Sequence, residues 1–156
     1  MYRNASLFIL NLWIMETTQR KKIAIQALIN APVEKVWKCW TDPQHIIKWN
    51  SASEDWHTPS AANDLRVGGR FTSRMEAKDG SMGFDFGGTY NNVRENEWIG
   101  YTMDDGRQVN IHFYSNGNQT RVEETFEAEE TNSIEMQKGG WQAILDNFKN
   151  YVEQLS

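Results

Sequence analysis

Four turn signals at close spacing constrain this chain more than any other feature: Asp79-Gly80, Glu95-Asn96, Asp105-Gly106 and Asn116-Gly117. Asp-Gly and Asn-Gly tolerate the positive φ that tight hairpins require, and between alternating apolar runs they mark where a strand reverses. The runs they separate cover residues 70–77, 82–93, 97–103, 107–114 and 119–128. Five strands joined by four short turns predict an antiparallel meander. Gly87-Gly88 falls inside the longest run and predicts a bulge or bend that would curl the sheet.

The flanking segments complete the pattern. Residues 22–29 (KIAIQALI) are β-rich and read as a first strand. Pro32 suits a first helical position. Val33, Val36, Trp37 and Trp40 then repeat at helical spacing and give one apolar stripe. Asp42-Pro43 ends that helix and caps a short second one over residues 45–49. Residues 50–63 are polar, carry Trp56 and His57, and predict a loop; Gly68-Gly69 predicts a tight turn. Asn132 with Glu135 forms an Asn variant of the capping box and opens the last helix. Trp141, Ile144, Leu145, Phe148, Tyr151, Val152 and Leu155 trace its apolar stripe. Gly139-Gly140 costs about 1 kcal/mol per glycine inside a helix, which points to close packing, a kink or a gap beside a cavity.

The order strand, two helices, meander, long helix predicts an α+β fold, with a curved antiparallel sheet around the C-terminal helix. One helix cannot cover five or six curved strands, so a pocket is expected between them. A length of 156 residues suits one domain, expected over residues 15–156. Aromatic residues are 12% of the chain, enough to line a pocket as well as fill a core. A net charge of −5 argues against a nucleic-acid partner. The single cysteine, Cys39, excludes an internal disulfide, suits a reducing cytoplasmic setting and reads as a packed thiol. Residues 6–15 (SLFILNLWIM) are apolar but shorter than the ~20 residues that cross a bilayer, so no membrane insertion is expected. Residues 1–14 read as an extra leader ahead of a start at Met15, as a packed extra element, or as a membrane signal.

Several motifs in order carry a resemblance. Ala31-Pro32-Val33-Glu34-Lys35-Val36-Trp37 and Trp40-Thr41-Asp42-Pro43 resemble the opening of the START-like SRPBCC superfamily. Leu65-Arg66-Val67-Gly68-Gly69-Arg70-Phe71, Gly88-Thr89-Tyr90, and Gly139-Gly140-Trp141 followed by Leu145-Asp146-Asn147-Phe148 are similar to its branch related to the activator of the heat-shock-protein-ninety ATPase. The resemblance runs from about Ile23 to Leu155. It implies a helix-grip fold with a hydrophobic cavity between sheet and C-terminal helix. Members of this superfamily mostly bind apolar small molecules or lipids; some are hydrolases or polyketide-cyclase-like enzymes, and some assist the chaperone.

The residues offer few chemical constellations. Ser53, Asp55 and His57 alternate along one face, about 7 Å apart, which is poor geometry for a triad, and no G-x-S-x-G elbow is present. Asp55 and His57 lack further ligands at metal-binding spacing, with His45 and His112 remote, so no metal is expected. Gly68-Gly69 lacks a Walker lysine, and no cofactor is implied. Glu124 stands out: it shares parity with Val122 and Phe126, so it faces the pocket if they face the core. There it would bind a ligand's polar end or act as an acid or base; the alternatives are that it pairs with an arginine or sits at the open edge of the sheet. Arg74 has the opposite parity to Phe71 and Met75 and is expected to point outward. The expected pocket residues are Trp49, Trp56, His57, Met75, Phe84, Phe86, Tyr90, Tyr101, Phe113 and Glu124, with Trp141, Ile144 and Leu145 from the helix. The expected function is binding of a hydrophobic small molecule. The alternatives are a module acting on a chaperone, and a small hydrolase or cyclase using Glu124 or His57.

Overall fold

The computed structural model describes residues 20–156, so the expectations for residues 1–14 and for a start at Met15 lie outside the described residues. The elements are β1 (Lys22–Ile29), α1 (Val33–Thr41), α2 (Pro43–Trp49), β2 (Trp56–Asn63), β3 (Arg70–Ala77), β4 (Gly83–Arg94), β5 (Trp98–Met103), β6 (Gln108–Asn116), β7 (Gln119–Glu127) and α3 (Ile134–Gln154). They form a curled sheet of seven antiparallel strands in the order β1-β7-β6-β5-β4-β3-β2. This is the helix-grip α+β architecture expected from the pattern, with more strands than the five or six anticipated.

The turns fall where the sequence puts them. Gly80, Asn96, Gly106 and Gly117 all take positive φ, from 62° to 91°. An added Cβ at Gly117 would meet no atom within 4 Å, so substitution there isolates the backbone strain. Gly117→Ala is expected to cost about 1 kcal/mol, read from the urea midpoint; an unchanged midpoint would contradict the strain.

Five local expectations are corrected. Residues 56–63 form an edge strand, β2, paired with β3 through a register shift between His57 and Ser60 that accommodates Pro59. Polar composition and a proline hid it, and an edge strand tolerates both. The irregularity in β4 lies between Tyr90 and Asn92, not at the glycine pair. Gly88 is needed for close approach instead: a Cβ there would stand 2.5 Å from the Thr102 carbonyl oxygen and 3.0 Å from the Phe71 ring. Pro32 is the N-cap of α1, one position earlier than expected. Ser133 caps α3, its hydroxyl accepting from the Met136 N–H at 3.1 Å. Asn132 is held in the preceding loop, where its N–H donates to Glu129 Oε1 and its carbonyl accepts from Gln137 Nε2. The short α2 begins at Pro43, and Asp42 Oδ1 accepts from the Gln44 N–H at 2.9 Å.

The core lies between the inner face of β1, β7 and β6 and the helices. β1 alternates strictly, burying Ile23, Ile25, Ala27 and Ile29. Leu145, Phe148 and Val152 of α3 are at most 1% exposed. Phe148 stands 4.8 Å from both Trp40 and Trp49, centroid to centroid, so one aromatic cluster ties α1, α2 and α3 together. Cys39 is buried beneath it, and its carbonyl accepts from Trp49 Nε1 at 2.9 Å. Along the open side of β1, α3 donates to two strand carbonyls: Gln142 Nε2 to Gln26 and Lys149 Nζ to Leu28.

Candidate functional site

Away from that cluster, the sheet curls further than α3 can follow. A cavity of about 290 Å³ remains between the helices and the inner face of the curled sheet, lined mostly from β2–β5 with Arg107 and, from β7, Glu124. Inward alternation supplies its walls: Phe71, Ser73 and Met75 from β3, Phe84, Phe86 and Tyr90 from β4, Ile99 and Tyr101 from β5. Trp141, Ile144 and Leu145 roof it from α3, and Trp40, Ile46, Trp49 and Asn50 close it from α1, α2 and the turn after them. Trp141 stacks flat on Phe126 (3.9 Å, 9°) and meets Phe86 edge-on at 6.2 Å, which fixes the ring as a wall.

Ten of the thirteen residues named from the sequence line this cavity: Trp49, Met75, Phe84, Phe86, Tyr90, Tyr101, Glu124, Trp141, Ile144 and Leu145. Three do not. Phe113 faces inward but further along β6, packed 5.2 Å from Trp37 and 6.0 Å from Trp40. Trp56 packs against Phe84 at 6.0 Å. His57 points to the outer face, where its Nε2 lies 3.8 Å from Glu76. Trp40, Ile46, Asn50, Ala62, Phe71, Ser73, Ile99 and Arg107 were missed. Parity could have found Phe71, Ser73 and Ile99, which alternate with residues already named.

Ser53 and His57 make no contact with each other that would serve a nucleophile. Ser53 sits in the turn before β2, its carbonyl accepting from the Trp56 N–H. His45 shares a 2.6 Å hydrogen bond with the Tyr151 hydroxyl, and His112 stacks on Trp98 at 5.5 Å. No group of three or more His, Cys, Asp or Glu side chains that could hold a metal occurs among the described residues. Arg74 points outward, pairing with Glu76 and Asp85.

The polar groups of the cavity are few and differ in kind. The Tyr90 hydroxyl is spoken for: it donates to Asn63 Oδ1 at 2.6 Å, and Asn63 Nδ2 donates to the Thr41 carbonyl. Arg107 Nε donates to Asp105 Oδ2 at 2.8 Å and Nη1 to the Glu127 carbonyl at 3.3 Å. Glu124 is different. It lies on β7, next to the edge strand, opposite Ile25 of β1 and Ile111 of β6, and is 6% exposed. Its carboxyl makes no hydrogen bond or ion pair among the described residues, and burial pushes its pKa from 4.5 up to about 8. Tyr101 lies in the same field: burial raises its pKa, the Glu124 charge adds to the rise, and Arg107 opposes it. The result is an aromatic chamber with one uncommitted carboxyl group.

Residues 30–153 match the family described as "Activator of Hsp90 ATPase homolog 1-like protein". The chain belongs to this family. It is the branch that the motif order from Ala31 to Phe148 resembles. A solution structure of an AHSA1-like protein from Aeromonas hydrophila is 51% identical, with a TM-score of 0.81 over 85% of this chain and 92% of that one. A solution structure from Cytophaga hutchinsonii is 54% identical, with a TM-score of 0.75 over the same shares. A crystal structure from Nitrosomonas europaea shares the fold at 20% identity, with a TM-score of 0.75 over 85% of this chain and 94% of that one. No curated protein matches the chain. Among the described residues no helix is long and apolar enough to cross a membrane.

Proposed function

We infer that the protein binds a hydrophobic small molecule or lipid-like ligand in the cavity beneath α3. The cavity itself carries the reading. A volume of about 290 Å³ walled by aromatic and aliphatic side chains is at the lower end of small-molecule sites, and a space of that size is too large to be a packing defect. The family is one of ligand-binding domains in general, which supports the same reading. A cytoplasmic site of action suits the single, buried, free Cys39.

Nile red provides a direct test. One equivalent is expected to bind with a blue-shifted, enhanced emission, and Ile144→Trp, which fills the space, is expected to abolish it. Native mass spectrometry after gentle purification is expected to retain an endogenous apolar adduct in the parent protein and not in the filled variant. Equal dye binding by both proteins, with no adduct in either, would overturn the reading.

The family description favours a second reading, contact with a chaperone ATPase. It predicts a changed turnover of an Hsp90-type ATPase, and unchanged turnover at saturating protein would remove it.

A further inference from the structure

We propose that the cavity selects ligands carrying one protonated amine on an apolar body, with the Glu124 carboxylate as counter-ion. This deepens the reading of the cavity as a binding site and rests on it.

The argument starts from what is missing around Glu124. Buried carboxylates in proteins are paired with a cation or held by several donors, because an isolated buried charge is expensive. Glu124 has neither among the described residues: its side chain is more than nine-tenths buried, and its carboxyl opens onto the cavity instead of onto a partner. Arg107 also lines the cavity, but its charge is already met by Asp105, with a further bond to the Glu127 carbonyl. The other groups that could titrate toward Glu124 are the phenols of Tyr101 from β5 and Tyr90 from β4. The remaining elements present groups that do not titrate: Ile25 from β1, Phe71, Ser73 and Met75 from β3, Ile46 and Trp49 from α2, and Trp141, Ile144 and Leu145 from α3. Alone, the carboxyl escapes the cost by keeping its proton, and a cation that pairs with its ionised form has to arrive with the ligand.

The walls favour the same sign. Trp49, Phe86, Tyr101 and Trp141 line the cavity, and any ring face turned to the ligand attracts an ammonium group and repels an anion. A fatty-acid carboxylate would bring a second negative charge to Glu124. A neutral alcohol or ketone accepts from the protonated carboxyl, as it would from Gln or Thr, and gains nothing from ionisation. A cationic ligand alone makes use of the ionised form.

Octylamine, octan-1-ol and octanoate form a matched probe set, measured by calorimetry at about pH 8.5, where the carboxyl is largely ionised. Octylamine is expected to bind at least about tenfold tighter than octan-1-ol, and octanoate more weakly than either. In Glu124→Gln the advantage of the amine over the alcohol is expected to vanish. The parent protein gives a second readout that does not depend on the variant folding. Because Glu124 must lose its proton to pair, octylamine affinity is expected to fall by up to about tenfold for each pH unit below 8. Octan-1-ol affinity should not fall over the same range. An amine no tighter than the alcohol, or an octylamine affinity that does not move with pH, would overturn the proposal while leaving the cavity a binding site. Failure of all three probes to bind would overturn both.

Discussion

At about pH 9, Glu124→Gln is expected to be more stable than the parent protein by up to about 5 kcal/mol, and at about pH 4 the two are expected to be alike. The sign follows from the carboxyl's two environments. In the unfolded chain it titrates near 4.5, and burial in the folded protein raises this to about 8. Below 4.5 both states hold the proton, and Glu124 behaves as a neutral group much like Gln. Between 4.5 and 8 the unfolded chain gives up the proton while the folded one keeps it, so rising pH favours unfolding. Above 8 the folded protein carries the buried charge and the deficit is complete. Each unit of difference is worth about 1.4 kcal/mol. Urea unfolding of both proteins across this range checks it, and parallel stability curves would show that Glu124 is paired or wet. Charge-bearing groups elsewhere act on both proteins equally, so the difference isolates this one side chain.

The second large effect concerns α3. Gly139→Ala with Gly140→Ala is expected to stabilise the protein by about 2 kcal/mol, roughly 1 for each glycine removed from the helix interior. Among the described residues, a Cβ at either position would meet nothing within 4 Å, so no clash with them opposes the gain in helix propensity and close packing against them is not the reason for the pair. The glycines immediately precede Trp141, the first ring of the roof, and before them only Gln137 of the helix is buried. The helix is therefore weakest where it begins to cover the cavity. Hydrogen exchange is expected to slow over residues 134–141 in the double variant; an unchanged midpoint with unchanged exchange would show that the glycines cost the helix nothing.

How far the sequence could be read depended on which physical rule governed each part. The meander was legible because Gly80, Asn96, Gly106 and Gly117 occupy a backbone region that few other residues tolerate. Glu124 was legible because Val122 and Phe126 are fully buried on either side of it and strand parity leaves no choice. Parity tells which face a side chain takes and not how far along the sheet it lies. Phe113 is inward like Tyr101, yet it sits under Trp37 in the core rather than beside the cavity. β2 was hidden because an edge strand needs only one row of hydrogen bonds and one apolar face, so Pro59 and polar residues fit it. Without β2, the alternation of Trp56 and His57 has no sheet to refer to, and the outward turn of His57 is not legible. The cap of α3 moved by one residue because Glu129 and Gln137 compete for the backbone of Asn132.

The contacts between α3 and β1 bear on more than the core. An open sheet ends in two bare edges, and each is an invitation to a strand from another molecule. At one edge, the Gln26 and Leu28 carbonyls that an incoming strand would need are occupied by Gln142 and Lys149. At the other, Pro59 offers no N–H and the shift beside it breaks the register. The helix that roofs the cavity thus also works with a single proline to make both ends of the sheet poor templates for a strand from another molecule.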